Sequence, residues 1–489
     1  MERRMRGNPH VRCEWGEKLE MTSKAYLSIS DNLQIEFIVN LSINANIPLL
    51  VVGDIKQGIY RFRGANVTAF EMISKELKES KHNRTLVEHK LVKNYRTAGD
   101  LLNKIEDIFS NWRKLGHLTN DDRMQPTRPK SRAKNSYMES PNPISAEAIL
   151  TLYNEMVQRP KGKKNEIRVL TILVRKNKDV SQIHSLLTDK CNELKIPIQI
   201  VKEGTLFKST AAKDLNALLY SWLNPEDSIA LFELSQTAFC KPVELPELRE
   251  EEGHFVMDDL SFEVPMTWEK ALEQFKLAPA NIVLTDFLSN TPFKEHLKVK
   301  LQKGGKANLL ENEEKQYILN LHKIITLLND AIQNENTDLY SLYKWLSLEI
   351  TTNNRDDEAE LTDADFTKDY IKVMTVHKSK GLEFDTVILP YVHEQFVLQN
   401  ARNCEILVEA DGSNVDYAWH YKTNRVFENV TSNYNKMMND ERSQILMEET
   451  RNLYVALTRA KECLAIFDMG KPVYAKKPNT WHHLIKGGR

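Results

Sequence analysis

Four stretches of this 489-residue chain carry side chains whose types and spacing could handle phosphate and a nucleic-acid base. In IKVMTVHKSKGLEFDTVILP, from Ile371 to Pro390, two β-branched runs bracket His377, Lys378, Ser379, Lys380, Gly381 and Glu383. A polar, basic, glycine-containing connection after a buried strand is where an α/β sheet places ligand contacts; the plainer alternative is a solvated loop. In VGDIKQGIYRFRGA, from Val52 to Ala65, the Gln57 amide can sense a phosphate oxygen or a water. Tyr60 and Phe62 interleave there with Arg61 and Arg63, so that rings could stack on bases and guanidinium groups meet phosphates, although the same aromatics could be core. Tyr95 and Arg96 sit just before a helical pattern, placed to stack a base and touch a phosphate, or to be a packed ring and a surface cation. Arg459 ends a helical stretch, where it either compensates the helix dipole or reaches into a neighbouring site.

These residues need strands and helices to position them. The runs Val373 to Val376, Val387 to Leu389 and Arg168 to Val174 suit buried parallel strands, as does IPLLVV from Ile47 to Val52. Leu33, Ile35, Phe37, Ile38 and Leu41 predict an amphipathic helix, and Thr97 with Asp100 has capping-box spacing before the stripe Leu101, Ile105, Ile108, Phe109. Strands alternating with helices around Ile149, Leu152, Ile183 and Leu187 predict an α/β fold. Glu441 to Lys461 predicts a helix, whereas Asn400 to Asn439 reads as irregular and without a chemical signature.

Bulk numbers exclude more than they assign. The length suggests about two to four domains. Hydrophobic content is 41% and charged content 28%, ordinary for a chain with sizeable cores. Net charge is -1, so any surface for nucleic acid must be local. The five cysteines are scattered without a CxxC, which argues against a zinc site or a disulfide framework and for a reducing compartment. No apolar run reaches the roughly 18 residues of a membrane span, and the N-terminus lacks an apolar signal core, so no membrane partner and a cytoplasmic location are expected.

Composition and patterning divide the chain into an unpatterned stretch, 1–30, a first α/β portion, 31–118, and a basic, proline-containing connector, 119–143. A second α/β domain follows from 144–204 and 366–470, interrupted by a mostly helical insertion, 205–365, with a tail at 471–489. Gly304, Gly305 and Lys306 do not form a phosphate loop, because the upstream glycine and the following Ser/Thr are absent.

Taken together, VGDIKQGIYRFRGA, KNYRT, VMTVHKSKGLEF and EETRNLYVALTRAK resemble, in order and spacing, motifs III to VI of the UvrD/Rep and RecB-like superfamily 1 DNA helicases. The resemblance covers about residues 31–470. It implies RecA-like parallel-sheet motor domains of the P-loop NTPase type, here with the first one truncated, and a 2B-like helical insertion. It also implies ATP with Mg²⁺ as cofactors, single-stranded or partly duplex DNA as partner, and 3′ to 5′ unwinding in DNA repair or recombination. Residue by residue, Gln57 resembles the group coupling the γ-phosphate to DNA, Tyr95 the adenine-stacking ring, Arg96 a γ-phosphate contact and Glu383 the ribose-contacting carboxylate. Arg459 is similar to the arginine finger. Tyr60, Phe62, Arg63 and His377 match positions that touch DNA.

The chain departs from the family pattern in two places. The GxxxxGK[ST] loop is absent, and where an Asp-Glu pair should supply the Mg²⁺ ligand and orient water the chain reads AYLSISDNLQ, Ala25 to Gln34. The expectation is therefore a helicase that begins partway through its first motor domain, with no nuclease domain, and with the main ligands for ATP and Mg²⁺ missing. Loss of phosphate positioning opposes hydrolysis by this chain alone. The alternatives are a partner supplying the missing N-terminal half, a non-catalytic module that binds single-stranded DNA or a partner, and a remnant without a role.

Overall fold

The computed structural model describes the chain apart from residues 1–24, 27–31, 46, 60–72, 76, 78–86, 88, 119–122, 162–165, 242–248, 252–253, 257–264, 304–309, 333–337, 353, 355, 363–364, 397–403, 412–413, 424–426, 471–477 and 488–489. It divides into two compact units, Met1–Val92 with Phe396–Val455, and Lys93–Gln395 with Ala456–Arg489.

The second unit is built on six parallel strands: β1 (Tyr137–Glu139), β2 (Val169–Val174), β3 (Ile198–Val201), β4 (Tyr370–Thr375), β5 (Phe384–Leu389) and β6 (Ala460–Ile466). Their order is β1-β6-β5-β2-β4-β3. Every residue of β2, β4 and β5 is buried, as a parallel sheet covered on both faces requires, and this explains why their sequences are continuous β-branched runs rather than alternations. Register is set by pairs such as Val373 with Ile172 and Ile388 with Ile172. Helices α3 (Ala146–Gln158) and α4 (Asn177–Leu194) share a core with the sheet, in which Ile149, Met156, Ile183 and Leu187 meet Leu170, Ile172 and Val373.

Helix α2 (Gly99–Lys114) also belongs to this unit, although the sequence reading groups residues up to 118 with the preceding portion. The expected capping box is not formed. The N-cap is Ala98; Thr97 Oγ1 donates instead to the Ala460 carbonyl at 3.0 Å, and the Asp100 carboxylate accepts from the Ser131 amide at 2.7 Å. The segment expected to be a tail carries a docked helix, Trp481–Lys486, whose Leu484 carbonyl accepts from Trp112 Nε1 at 2.8 Å.

Between β3 and β4 the chain forms seven helices among the described residues, from Thr210–Leu223 to Leu339–Thr351, and a strand pair, Arg249–Glu251 with His254–Val256. They have a core of their own, with Trp222 edge-on to Phe275 at 5.0 Å and to Phe287 at 4.9 Å.

In the first unit, α1 (Asn32–Asn44) packs Ile35 and Val39 on Ile73, Leu77 and Val51. The predicted buried strand at 47–52 shrinks to Val51–Val52, paired in parallel with Ala25–Tyr26. Leu50 and Val52 are more than half exposed, because no layer covers that side of the strand among the described residues. The stretch expected to be irregular contains an antiparallel meander, Cys404–Asp411, Asn414–Thr423 and Phe427–Val430. Its signal is the alternation in YAWHY, where Ala418 and His420 are buried while Tyr417, Trp419 and Tyr421 face outward.

Candidate functional site

The Asn94 side chain makes the local turn. Its Oδ1 accepts from the backbone amides of Arg96 and Thr97, both at 2.9 Å, a turn that Asn forms readily by imitating a backbone carbonyl. Held this way, the Tyr95 ring projects outward and is 71% exposed. Arg96 turns the other way: its Nε donates to Glu383 Oε2 at 2.9 Å and its Nη1 to the Thr458 carbonyl at 3.3 Å. Lys461 Nζ stands 3.9 Å from Glu383 Oε1. These groups line an open cleft of about 550 Å³. Its lining carries five cations, Lys93, Arg96, Arg128, Arg132 and Lys461, against three carboxylates, Glu166, Glu383 and Glu462, so the cleft favours an anion.

The cleft is not where the strand rule placed it. Glu383 directly precedes β5, Arg459 directly precedes β6 and Glu166 lies just before β2, so the site is at the amino ends of the strands. His377 and Lys378 lie at the opposite, carboxyl end, in a short 3-10 turn after β4. There Lys378 pairs with Asp357. Burial opposes ionisation of Asp357, but the Lys378 ammonium and the Gly204 amide outweigh it and hold its carboxyl below the usual carboxylate range. The connection that spans the sheet turns at Gly381, whose φ is +85°. Nothing lies within 4 Å of a Cβ built there, so the cost of a side chain is purely conformational. Gly381→Ala is expected to destabilise the fold by about 1 kcal/mol, read as a lowered urea midpoint; an unmoved midpoint would show that the turn has an alternative path.

Arg459 is 1% exposed. Its Nη1 donates to the Leu382 carbonyl at 3.0 Å and its Nη2 to Thr458 Oγ1 at 3.1 Å. The guanidinium is thus held inside, beside the cleft rather than projecting into it. Gln57 belongs to the other unit, in the 3-10 turn Ile55–Gln57, where its Nε2 donates to Asp54 Oδ2 at 2.9 Å. Arg451 Nε donates to the Gly58 carbonyl next to it at 2.8 Å. Tyr60, Phe62 and Arg63 lie outside the described residues. The structure therefore gathers Tyr95, Arg96 and Glu383, and sets Arg459 behind them.

Sequence reasoning misses the arm from Thr127 to Arg132, which reads as part of a solvated connector. Arg128 Nη2 donates to Glu462 Oε1 at 2.7 Å, Arg132 Nη2 to the same oxygen at 3.0 Å, and the Arg132 amide to Glu462 Oε2 at 2.9 Å. Burial works against the charge of Glu462, but the Arg132 amide and the two guanidinium groups more than offset it and keep its carboxyl below the ordinary range. The available signal is Glu462 itself: an acid inside the apolar strand AKECLAI needs buried cationic partners.

A six-stranded parallel sheet with helices packed against it is an α/β architecture consistent with a RecA-like helicase fold. The family described as "UvrD-like helicase C-terminal domain" matches residues 89–242 and 268–469, well over half the chain, and "UvrD/REP helicase N-terminal domain" matches residues 30–78. The chain belongs to the UvrD-like helicase family. It is 24% identical to an ATP-dependent helicase/nuclease subunit of Anoxybacillus flavithermus, over 88% of this chain and 38% of that protein. It is 26% identical to the same-named protein of Lactococcus lactis, over 85% and 38%, and 24% identical to the RecBCD enzyme subunit RecB of Buchnera aphidicola, over 85% and 35%. The chain thus spans little more than a third of the length of these relatives.

Proposed function

We propose that this chain is the C-terminal motor portion of an ATP-dependent DNA helicase of repair or recombination, working 3′ to 5′ in the cytoplasm. The observation that carries the reading is the constellation of an exposed Tyr95 ring, the Arg96 guanidinium and the half-exposed Glu383 carboxylate in one cationic cleft. The chain's relatives, helicase/nuclease and RecBCD subunits, agree with it.

The donor set fits a nucleoside triphosphate: a ring for the base, a carboxylate for ribose hydroxyls, and Arg96 for a phosphate oxygen. ATP, when bound, supplies the phosphoanhydride whose cleavage drives strand movement. This chain's residues bind and orient it. Tyr95 stacks the base, and Glu383, freed from Arg96, accepts from the sugar. Mg²⁺ in such a site is held by one or two carboxylates together with the nucleotide's own phosphates and water; among the described residues no group of three or more His, Cys, Asp or Glu stands together. No helix of the described residues is long and apolar enough to cross a membrane.

ATP binding by the purified chain, followed by calorimetry, tests the reading. Wild type should bind, and Tyr95→Ala should weaken binding by about 1–3 kcal/mol, the usual worth of a base on an aromatic ring. A wild-type chain without ATP affinity would sink it. The second reading, a DNA-binding module without turnover, is favoured by the inward placement of Arg459. Salt-dependent binding of single-stranded DNA with no ATP hydrolysis is its signature.

A further inference from the structure

We infer that Glu462 is a positioning residue for the cleft, clamping Arg128 against the backbone of Arg96 and thereby fixing the turn that presents Tyr95. The consequence for nucleotide binding rests on the proposed function; the clamp itself does not.

The chain of contacts is continuous. Glu462 is 2% exposed at its side chain, so its pairs are not the screened surface kind that contribute little. It accepts from Arg128, Arg132 and the Arg132 amide. The single Ser131 hydroxyl proton lies nearer to the Glu462 carbonyl, 2.6 Å from Oγ, than to the carboxylate oxygen at 3.1 Å, and ties the arm to β6 by either route. With one nitrogen on Glu462, Arg128 spends another on the Arg96 carbonyl. Only a planar guanidinium reaches both oxygens in fixed directions; an ammonium is a single point donor. The other side of the peptide between Arg96 and Thr97, the Thr97 N–H, donates to Asn94 Oδ1, and Thr127 Oγ1 donates to the Asn94 carbonyl at 2.6 Å.

The backbone leaves no slack around this clamp. The Ala98 amide donates to the Lys461 carbonyl and the Gly99 amide to the Pro129 carbonyl, both at 2.9 Å. A Cβ on Gly99 would stand 2.8 Å from the Arg128 carbonyl oxygen, so the helix start and the arm touch backbone to backbone. Of the groups in this knot, Glu462 is the carboxylate on which the cations of the arm converge.

Two readouts on the full chain separate positioning from general stabilisation and from charge. The first is amide hydrogen exchange without nucleotide. Arg128→Ala and Glu462→Gln should each speed exchange at Arg96 and Thr97 by about tenfold or more, the worth of a charge-assisted hydrogen bond, with Val169–Val174 unchanged. The double variant should be no faster than the single ones, because both break one clamp. Arg128→Ala leaves Glu462 paired with Arg132 and keeps the test available if Glu462→Gln does not fold. Unchanged exchange in Arg128→Ala overturns the inference, and so does faster exchange that includes Val169–Val174.

The second readout compares ATP with inorganic tripolyphosphate by calorimetry. Positioning predicts an about tenfold loss for ATP with tripolyphosphate binding retained. Tighter binding of both is the pure charge effect of removing a carboxylate, and equal losses are the effect of a damaged fold; either result overturns the role assigned to Glu462. A wild-type chain that binds no ATP overturns the nucleotide reading, while hydrogen exchange still judges the clamp.

Discussion

Asp369→Ala is expected to destabilise the second unit by about 3–5 kcal/mol, the cost of leaving a buried charge without its partner. Arg168 and Asp369 are 3% and 8% exposed at their side chains. Arg168 Nε and Nη2 donate to Asp369 Oδ2 at 3.1 and 2.8 Å, and the Arg168 amide donates to Oδ1 at 2.9 Å. The same guanidinium closes the end of α3 through the carbonyls of Arg159 at 2.8 Å and Val157 at 2.7 Å. Removing the carboxylate would strand a guanidinium just before β2, beside the start of β4. Against a typical total stability of about 5–15 kcal/mol, this is a large share. Replacing both partners by apolar residues of similar size should cost much less, since the desolvation of both charges is then no longer needed. Urea denaturation of the single and double variants decides; a single variant within about 1 kcal/mol of wild type would show that water reaches Arg168.

The second large effect is on pH dependence. His482 is 1% exposed, neither ring nitrogen has a hydrogen-bond partner among the described residues, and its ring lies 4.5 Å from that of His393. Burial, and then the positive charge available to His393, His483 and Lys486, push its pKa down to about 4, with Glu139 pulling the other way. In the unfolded chain the same imidazole titrates near 6.5. On acidification the unfolded state therefore binds the proton first, so stability is full above pH 6.5 and is lost as pH falls towards 4. The loss is about 2 kcal/mol by pH 5 and about 3 kcal/mol by pH 4. Carboxylates titrate over the same range, so the comparison is with His482→Phe, which keeps an apolar ring and removes the proton site. Between pH 7.5 and pH 5 the unfolding free energy of wild type should fall, relative to that of the variant, by about 2 kcal/mol. A constant difference would mean that His482 becomes protonated within the fold at its ordinary pKa.

How much of this is readable follows from the range of the interactions. VLTILV, IKVMTV and FDTVIL announce themselves because a strand buried on both faces has only one kind of sequence. KNYRT is legible because its chemistry is local: Asn94 closes the turn onto the next three residues. Arg128 reads as solvated because its counter-charge lies 334 residues away, and no window along the chain joins them. Tyr137–Glu139 escapes notice as a strand for the same reason, being three residues long and defined by pairing with Leu464 to Ile466. Arg459 is placed by a contact that no local pattern shows. Its Nη1 donates to the carbonyl of Leu382, which the Gly381 turn positions 77 residues upstream.

The strand order also constrains how the molecule comes into being. β1 has β6 as its neighbour in the sheet, and β6 also lies against β5. Among the described strands of this sheet, the one that joins β1 to the others is thus the last to be synthesised, residues 460–466. A chain emerging from the ribosome can close its helical core between β3 and β4 early, through contacts near in sequence. It cannot seat β1 until β6 arrives, and β6 brings Lys461 and Glu462 with it. The cleft and the sheet are finished by the same seven residues: a product terminated before them keeps the pairing of β5, β2, β4 and β3 but has no partner for β1 and none of the contacts that Lys461 and Glu462 make in the cleft.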